Sequence, residues 1–164
     1  MTDDIQGFLH REETTREPYH YTACGLDNVY LFNGYELWQT EDGEGVSIRD
    51  LDSLHHAIGL SLAEHKKLLS PKELRWFRKQ LDLTQSELAR LLGYSSQMVA
   101  RWEKGECEIN GAAERILRML YIEHVSEEVT VRDVLQTLDT LDDVDETIAR
   151  FEVTDQGWKT AQAF

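Results

Sequence analysis

Residues 70–105 read SPKELRWFRKQLDLTQSELARLLGYSSQMVARWEKG and contain the start signals of three helices. Ser70–Glu73 and Thr84–Glu87 both have the pattern S/T-x-x-E, in which the hydroxyl and the glutamate each accept from a backbone N–H at the helix start. Pro71 occupies the first helical position, where its missing N–H is harmless. Ser95 is the expected N-cap of the third helix. The stretch therefore predicts three short helices in succession.

The second and third of these helices are joined by a short turn that contains a glycine. Apolar residues run through the second helix and stop at Gly93, which favours a left-handed turn conformation. Ala89 is small enough for the helices to approach closely, and Val99 and Trp102 are expected to pack the third helix back onto the second. Two short helices joined in this way form a helix-turn-helix motif. The pattern also fits a helical hairpin without a role in DNA binding, but the flanking LTQ and EKG segments favour DNA binding.

Residues 72–123 resemble the Cro/C1 (Xre) family of repressor domains. The resemblance implies a lambda-repressor-like, all-α bundle in which Gln85 anchors a phosphate. It also implies that Ser96, Gln97 and Arg101 read base edges from the start of the recognition helix. These expectations agree with the side-chain chemistry, because an amide can pair bidentately with adenine and a guanidinium with guanine.

The same resemblance implies an ion pair between Arg78 in the preceding helix and Glu103 at the end of the recognition helix. One segment departs from the family pattern. Residues 106–108 are Glu-Cys-Glu, where many relatives have basic or polar residues, so a close approach of this loop to the DNA backbone is not expected.

Further contacts to phosphates are expected from hydroxyl, amide and basic side chains around the motif. A single domain of this size covers little DNA, so a homodimer on a palindromic operator with half-sites one helical turn apart is predicted. The predicted DNA-binding residues are Gln85, Ser95, Ser96, Gln97, Arg101, Lys104, Arg75 and Lys79.

The distribution of charge limits where DNA can bind. The chain of 164 residues has a net charge of −14, with 17 basic and 31 acidic side chains. Residues 71–123 carry 9 basic and 8 acidic side chains, whereas residues 1–70 and 124–164 have net charges of −8 and −7. Only the motif segment is not strongly acidic, so we expect weak non-specific binding and contact through this segment alone.

The N-terminal part predicts a small antiparallel β-domain. HYTA, NVYLF, YELWQ and VSI are short β-prone runs, and Asn33-Gly34 predicts a hairpin between the second and the third. A helix that begins after Asp50 or Asp52 and extends to about Lys67 is expected to cover one face of this sheet. Its apolar stripe is Leu51, Leu54, Ile58 and Leu62.

The predicted fold class is therefore α+β. An acidic extension containing a short helix over 129–141 and a terminal hairpin after Ile148 is expected to follow the bundle. The predicted divisions are a flexible leader (1–17), a β-sheet and helix domain (18–69), the helix-turn-helix domain (70–124) and the extension (125–164).

The sequence contains no signature of catalytic chemistry. G-x-S-x-G, Walker A, G-x-G-x-x-G and H-E-x-x-H motifs are absent, so neither an enzyme activity nor a cofactor is predicted.

The run YTACGLDNVYLFNGY is weakly similar to MqsA-type antitoxins, but Cys24 lacks the C-x-x-C pairs that hold their zinc, so a metal-free domain is expected. Cys24 and Cys107 are expected to be reduced, although a disulfide is possible. Adjacent His55 and His56 do not face each other on a helix, so packing or exposure is expected rather than a metal site.

The sequence thus predicts a cytoplasmic, sequence-specific transcriptional repressor, with neither a signal peptide nor a membrane span. The alternative is an antitoxin of a type II toxin–antitoxin system, which neutralises a partner protein and regulates its own operon. This alternative stays open because most of the negative charge lies outside the motif, where it could attract a basic toxin.

Overall fold

The computed structural model of the chain describes residues 17–126 and 148–162, together with positions 134, 137, 138 and 140. In these residues four strands are followed by five helices and then by two more strands. The strands are β1 (Tyr19–His20), β2 (Val29–Leu31), β3 (Tyr35–Thr40), β4 (Gly43–Ile48), β5 (Ala149–Thr154) and β6 (Gly157–Gln162). The helices are α1 (Leu51–His65), α2 (Pro71–Gln80), α3 (Gln85–Leu92), α4 (Ser96–Lys104) and α5 (Gly111–Val125). The fold is mixed α+β, as predicted.

The main sheet is built from both ends of the chain. Its strand order is β1-β2-β5-β6, in which β2 pairs antiparallel with β1 and parallel with β5, and β5 pairs antiparallel with β6. Val29, Leu31 and Phe151 on the two central strands are fully buried. The terminal hairpin, which sequence analysis assigned to a separate extension, is thus hydrogen-bonded into the sheet of the N-terminal region. That sheet is therefore mixed and not antiparallel throughout.

The predicted hairpin at Asn33-Gly34 is wrong. β3 pairs with β4 in a separate two-stranded sheet, whereas β2 joins the main sheet. A tight hairpin turn of type I′ needs positive φ at both central residues, but only Gly34, with φ of 74°, has it. Asn33 instead extends the β2–β5 contact, because the Val153 N–H donates to Asn33 Oδ1 at 2.7 Å and Asn33 Nδ2 donates to the Val153 carbonyl at 3.4 Å.

Helix α1 covers the main sheet as predicted. Asp50 is its N-cap and accepts from the Ser53 N–H at 3.3 Å. Leu54, Ile58 and Leu62 are fully buried, whereas Leu51, which belonged to the predicted stripe, is 42% exposed. Leu51 is the first residue of the helix, before the turn that meets the core, and this explains its exposure.

A buried arginine connects α1 to the helical bundle. Arg118 on α5 is fully buried and donates to the carbonyls of Leu62, Ala63 and Lys67 at 2.9–3.1 Å. It also donates to Glu114 Oε1 at 2.6 Å, so its charge is paired. Burial lowers the pKa of Arg118, and the Glu114 carboxylate opposes that shift. Because the carbonyls at a helix C-terminus lack partners within the helix, the guanidinium caps α1.

Ile116, Leu117, Leu120 and Tyr121 have the spacing of one helix face, which predicts that this is the buried face of α5. Leu117 and Tyr121 are buried and Leu120 is half-buried, but Ile116 is 43% exposed. The buried face instead includes Ala113, Glu114 and Arg118. It is rotated in this direction because Arg118 points inward to cap α1.

Glu73 on α2 is a second buried charged group. It is 1% exposed, and its Oε1 lies 3.3 Å from Lys66 Nζ and accepts from Asn28 Nδ2 at 3.2 Å. Its Oε2 accepts from the Ser70 N–H at 2.7 Å. This single carboxylate therefore contacts the loop before β2, the end of α1 and the start of α2.

The histidine pair behaves as expected, since His55 is half-buried beside Tyr21 and His56 is exposed. Both cysteines are free thiols, and Cys24 Sγ donates to the Tyr21 carbonyl at 3.3 Å. The predicted helix over 129–141 and the predicted leader fall mostly outside the described residues. Within the described part of the chain, no helix is long and apolar enough to cross a membrane.

Candidate nucleic-acid interface

The helix starts that sequence analysis predicted are all present. Both capping boxes are complete, since Ser70 and Thr84 accept from the N–H groups of Glu73 and Glu87 at 3.3 and 3.1 Å. Glu87 in turn accepts from the Thr84 N–H at 2.7 Å, and this hydrogen bond lowers the pKa of Glu87. Ser95 caps α4 by accepting from the Met98 N–H at 3.2 Å. These caps fix where α2, α3 and α4 begin.

The turn between α3 and α4 has the predicted geometry. Gly93 ends α3 in the left-handed conformation, with φ of 78°. The N–H groups of Gly93 and Tyr94 both donate to the Ala89 carbonyl, the latter at 2.8 Å. Ala89 and Val99 are 2% and 1% exposed, so the two helices meet closely at the predicted positions. The chain therefore contains two helices joined by the three residues 93–95.

Glu103 is the centre of a polar network under α4. Arg78 Nε lies 2.5 Å from Glu103 Oε1, and Arg78 Nη2 donates to Glu103 Oε2 at 3.0 Å. Gln85 Nε2 donates to the same Oε2 at 2.9 Å. Burial by itself would raise the pKa of Glu103, but these hydrogen bonds and the charge of Arg78 bring the pKa below its ordinary value. The predicted Arg78–Glu103 pair is thus confirmed, and it ties α2 and α3 to α4.

The solvent-facing side of α4 is polar. Gln97, Arg101 and Lys104 are exposed and follow one another at four and three residues, so they lie on one face of the helix. Val99 and Trp102 lie on the buried face, with Trp102 against the Tyr94 ring at 4.9 Å between centroids. Ser96 is half-buried at the helix start. The exposed face of α4 can therefore reach a ligand with an amide, a guanidinium and an ammonium group.

The acidic loop after α4 contacts this face. Arg101 Nε lies 3.7 Å from Glu106 Oε2, and about half of each side chain is exposed. Cys107 Sγ donates to Met98 Sδ at 3.8 Å and thereby holds the loop against α4. The carboxylate of Glu106 is a counter-charge to Arg101 that sequence analysis did not predict, although both residues were singled out separately.

The other predicted contact residues lie on α2 and around the turn. Arg75 and Lys79 on α2 and Ser95 before α4 are exposed, whereas Gln85 is half-buried because its amide reaches Glu103. Arg90 on α3 is also exposed and was not among the predicted residues. The structure thus brings an exposed basic side chain onto each of the three motif helices.

Comparison with known proteins identifies the family of the segment that contains α3 and α4. The chain matches no curated protein and no solved structure. Its likeness to MqsA-type antitoxins finds no support, and the described residues contain no cluster of side chains that could hold a metal ion. Residues 74–112 match the family described as helix-turn-helix, and they include α3, the glycine turn and α4. This part of the chain is therefore a helix-turn-helix domain of the Cro/C1 (Xre) type, the DNA-binding domain of a transcriptional regulator.

Proposed function

We propose that the protein is a transcriptional repressor that binds a palindromic operator as a homodimer. The observation that carries this proposal is the exposed face of α4, on which Gln97 and Arg101 lie one helical turn apart. The family match supports DNA binding by the same segment.

In this proposal α4 enters the major groove with its N-terminus first. Gln97 pairs with the N6 and N7 positions of adenine, Arg101 pairs with the O6 and N7 positions of guanine, and Ser96 bonds either base. These three side chains supply sequence preference, because only contacts to base edges carry sequence information directly.

The remaining side chains position the domain on the DNA backbone. Ser95 and Gln85 contact phosphates beside the turn, and Lys104, Arg75 and Lys79 neutralise phosphate charge. Gln85 Nε2 already donates one hydrogen to Glu103, which orients the amide and leaves its second hydrogen for a phosphate.

Two copies are needed for tight binding. One domain of this size buries little DNA, and the strongly acidic remainder of the chain opposes non-specific contacts. A dimer with two recognition helices one helical turn apart doubles the contacts to base edges and to phosphates.

The proposal is tested by selecting sequences from random DNA with the purified full chain, while its mass in solution is measured. We expect a palindrome with half-site centres about 10 base pairs apart and the mass of a dimer. A Gln97→Ala, Arg101→Ala double variant should select nothing, whereas Arg115→Ala, which removes an exposed charge on α5, should select the same palindrome. Selection of a single half-site by a monomer would overturn the dimer, and no selection by the intact chain would overturn the function.

A second candidate function is that of an antitoxin that binds a protein partner and uses the helix-turn-helix to regulate its own operon. It is favoured by the exposed apolar side chains and the acidic surface of the β3–β4 hairpin, neither of which DNA binding uses. Deletion of the gene separates the two functions, because loss of an antitoxin is toxic whereas loss of a repressor alone only raises expression from its operator.

A further inference from the structure

We propose that the hairpin formed by β3 and β4, residues 35–48, is an arm that inserts into a cleft of a second protein, one with apolar walls and a basic rim. We call this hairpin the acidic arm. The inference goes beyond DNA binding, and it holds whether or not the partner is a toxin.

The acidic arm carries exposed apolar side chains on both faces. Leu37 and Trp38 are 53% and 48% exposed. Because they are consecutive in a strand, their side chains point to opposite faces of the ribbon. Leu37 lies opposite Val46 and Trp38 opposite Gly45 in the partner strand. Val46 is half-buried against the core, so Leu37 and Trp38 are the large apolar side chains that this ribbon exposes, one on each face. A partner that buries both must contact the ribbon from two sides, which requires a cleft and not a flat surface.

Trp38 is held in a defined position. A Cβ atom added to Gly45 would lie 2.6 Å from Trp38 Cδ1 and 3.0 Å from Trp38 Cε2, so the indole packs directly on the glycine backbone. A large aromatic side chain that is exposed and already ordered loses little conformational entropy on binding. Tryptophan is also among the residues that most often dominate the affinity of protein interfaces. Trp38 is therefore the expected anchor of the arm.

The base of the acidic arm is fixed to the rest of the protein. Tyr35 is 9% exposed, and its ring lies 5.1 Å from the ring of Tyr19. The Arg49 N–H donates to the Gly34 carbonyl at 2.8 Å, which closes the hairpin at its base. Within the described residues, neither β3 nor β4 pairs with a third strand. The arm is thus anchored at one end and presents its far end to a partner.

The charge of the arm determines the kind of partner. Residues 35–48 contain no lysine or arginine, and their four acidic side chains are all exposed: Glu36, Glu41, Asp42 and Glu44. Nucleic acid and anionic membranes would be repelled. A second copy of the arm would be repelled for the same reason, and so would residues 1–16, which have two basic and four acidic side chains. A basic protein surface, in contrast to these partners, is complementary in charge to the arm.

The inference is tested by crosslinking in cells of the native host with the full chain. A photoreactive phenylalanine analogue is placed at position 37 or 38, or at position 68 as a control. Leu68 is 71% exposed and lies outside the arm. We expect one basic protein to crosslink from positions 37 and 38 and not from position 68. A crosslink to the chain itself, to nucleic acid or to lipid, or no crosslink specific to the arm, would overturn the inference.

The crosslinked protein is then purified and its affinity for the full chain is measured. We expect Trp38→Ala to weaken binding at least about tenfold, while Leu68→Ala leaves it unchanged. Combined Glu41→Lys and Asp42→Lys should also weaken binding, and the loss should shrink at high salt. Equal affinity of the Trp38→Ala and Leu68→Ala variants would contradict an anchoring role for the arm.

Operator binding by the Trp38→Ala variant provides the separate readout. We expect it to equal that of the unmodified chain, because Trp38 lies outside the helix-turn-helix domain. Failure of the arm experiment with intact operator binding would remove only this inference, whereas failure of operator selection would remove only the repressor proposal.

Discussion

Arg78 on α2 and Glu103 at the end of α4 form two contacts, at 2.5 and 3.0 Å, in a site where their side chains are only 12% and 5% exposed. The same arginine donates from Nη1 to the Leu83 carbonyl at 2.8 Å, in the loop before α3. One guanidinium thus connects α2, the loop that leads to α3 and the recognition helix. The orientation of α4 depends on this pair as much as on the apolar contacts of Val99 and Trp102.

Replacing this arginine should destabilise the domain. Arg78→Ala leaves the Glu103 carboxylate desolvated with Gln85 as its remaining described hydrogen-bond partner, so we expect the free energy of unfolding to fall by about 2–3 kcal/mol. Arg75→Ala, which removes an exposed arginine from the same helix, should change it by less than about 0.5 kcal/mol. Denaturant unfolding measures both. If both variants lost the same free energy of unfolding, the Arg78–Glu103 pair would contribute nothing beyond the charge of one arginine.

The acidic loop after α4 should reduce affinity for DNA. Glu106 lies 3.7 Å from the Arg101 guanidinium and must release it before Arg101 can pair with a base. Because such exposed pairs contribute up to about 1 kcal/mol, we expect Glu106→Gln to tighten operator binding by up to about fivefold. Glu108→Gln removes an equal charge two residues away, without a described contact to Arg101, and should tighten binding less. If both variants gave the same gain, the effect would be general repulsion of phosphates and not release of Arg101.

Arg101 and Lys104 should differ in the kind of binding that they support. Arg101→Ala is expected to cost about 1–3 kcal/mol at the cognate base pair and to remove the preference there. Lys104→Ala should weaken binding to all sequences similarly and reduce the salt dependence by about one phosphate contact. Binding of operator variants at several salt concentrations distinguishes the two. A uniform loss for Arg101→Ala would make that residue a phosphate contact.

Local signals in the sequence were sufficient to predict the helix-turn-helix domain. The capping boxes at Ser70 and Thr84, the Ser95 cap and the left-handed Gly93 each depend on residues within a few positions of one another. The pairing of β2 with β5 joins segments more than a hundred residues apart, and no local pattern predicts it. The local turn signal at Asn33-Gly34 therefore led to the wrong prediction of a hairpin. The burial of Arg118 was missed because, apart from Glu114, its partners are backbone carbonyls at and just beyond the end of α1, which leave no trace in residue type. The roles of the predicted contact residues stay predictions until DNA binding is measured.

The free energy of unfolding should fall below neutral pH because of His55. Burial lowers the pKa of His55, which lies beside Tyr21 and Trp76, while Asp52 opposes the shift and His56 adds to it. Burial also raises the pKa of Tyr21 to about 12, so its hydroxyl stays protonated and can donate to neutral His55 Nε2 at 3.1 Å. Below pH about 6.5 the unfolded chain therefore binds a proton that the folded chain does not, and stability falls until pH passes the folded pKa of His55.

Comparison of two histidine variants isolates this contribution. His55→Gln keeps a hydrogen-bonding side chain but cannot titrate, so its stability should fall less between pH 7 and pH 5 than that of the unmodified chain. His56→Gln, at an exposed position on the same helix, should retain most of the decrease, because burial is the main cause of the lowered pKa of His55. The measurement is the free energy of unfolding of all three proteins between pH 7 and pH 5. A parallel decrease in the His55→Gln protein would assign the effect to other groups.

Gly34 should be essential for joining the terminal hairpin to the N-terminal strands. It has φ of 74°, and an added Cβ would lie 2.8 Å from Trp158 Cη2 and 2.9 Å from Val153 Cγ1. Gly34→Ala therefore combines backbone strain with a clash against β5 and β6, and we expect a loss of about 2–4 kcal/mol in the free energy of unfolding. Gly25→Ala is the matched control, because φ there is 88° and nothing lies within 4 Å of the added Cβ, so only a strain of about 1–2 kcal/mol remains. Since Trp158 and Val153 are more than a hundred positions away, a larger loss for Gly34→Ala would support the packing of the terminal hairpin against the N-terminal strands. Equal losses in the two variants would contradict the close contact of Gly34 with Trp158 and Val153.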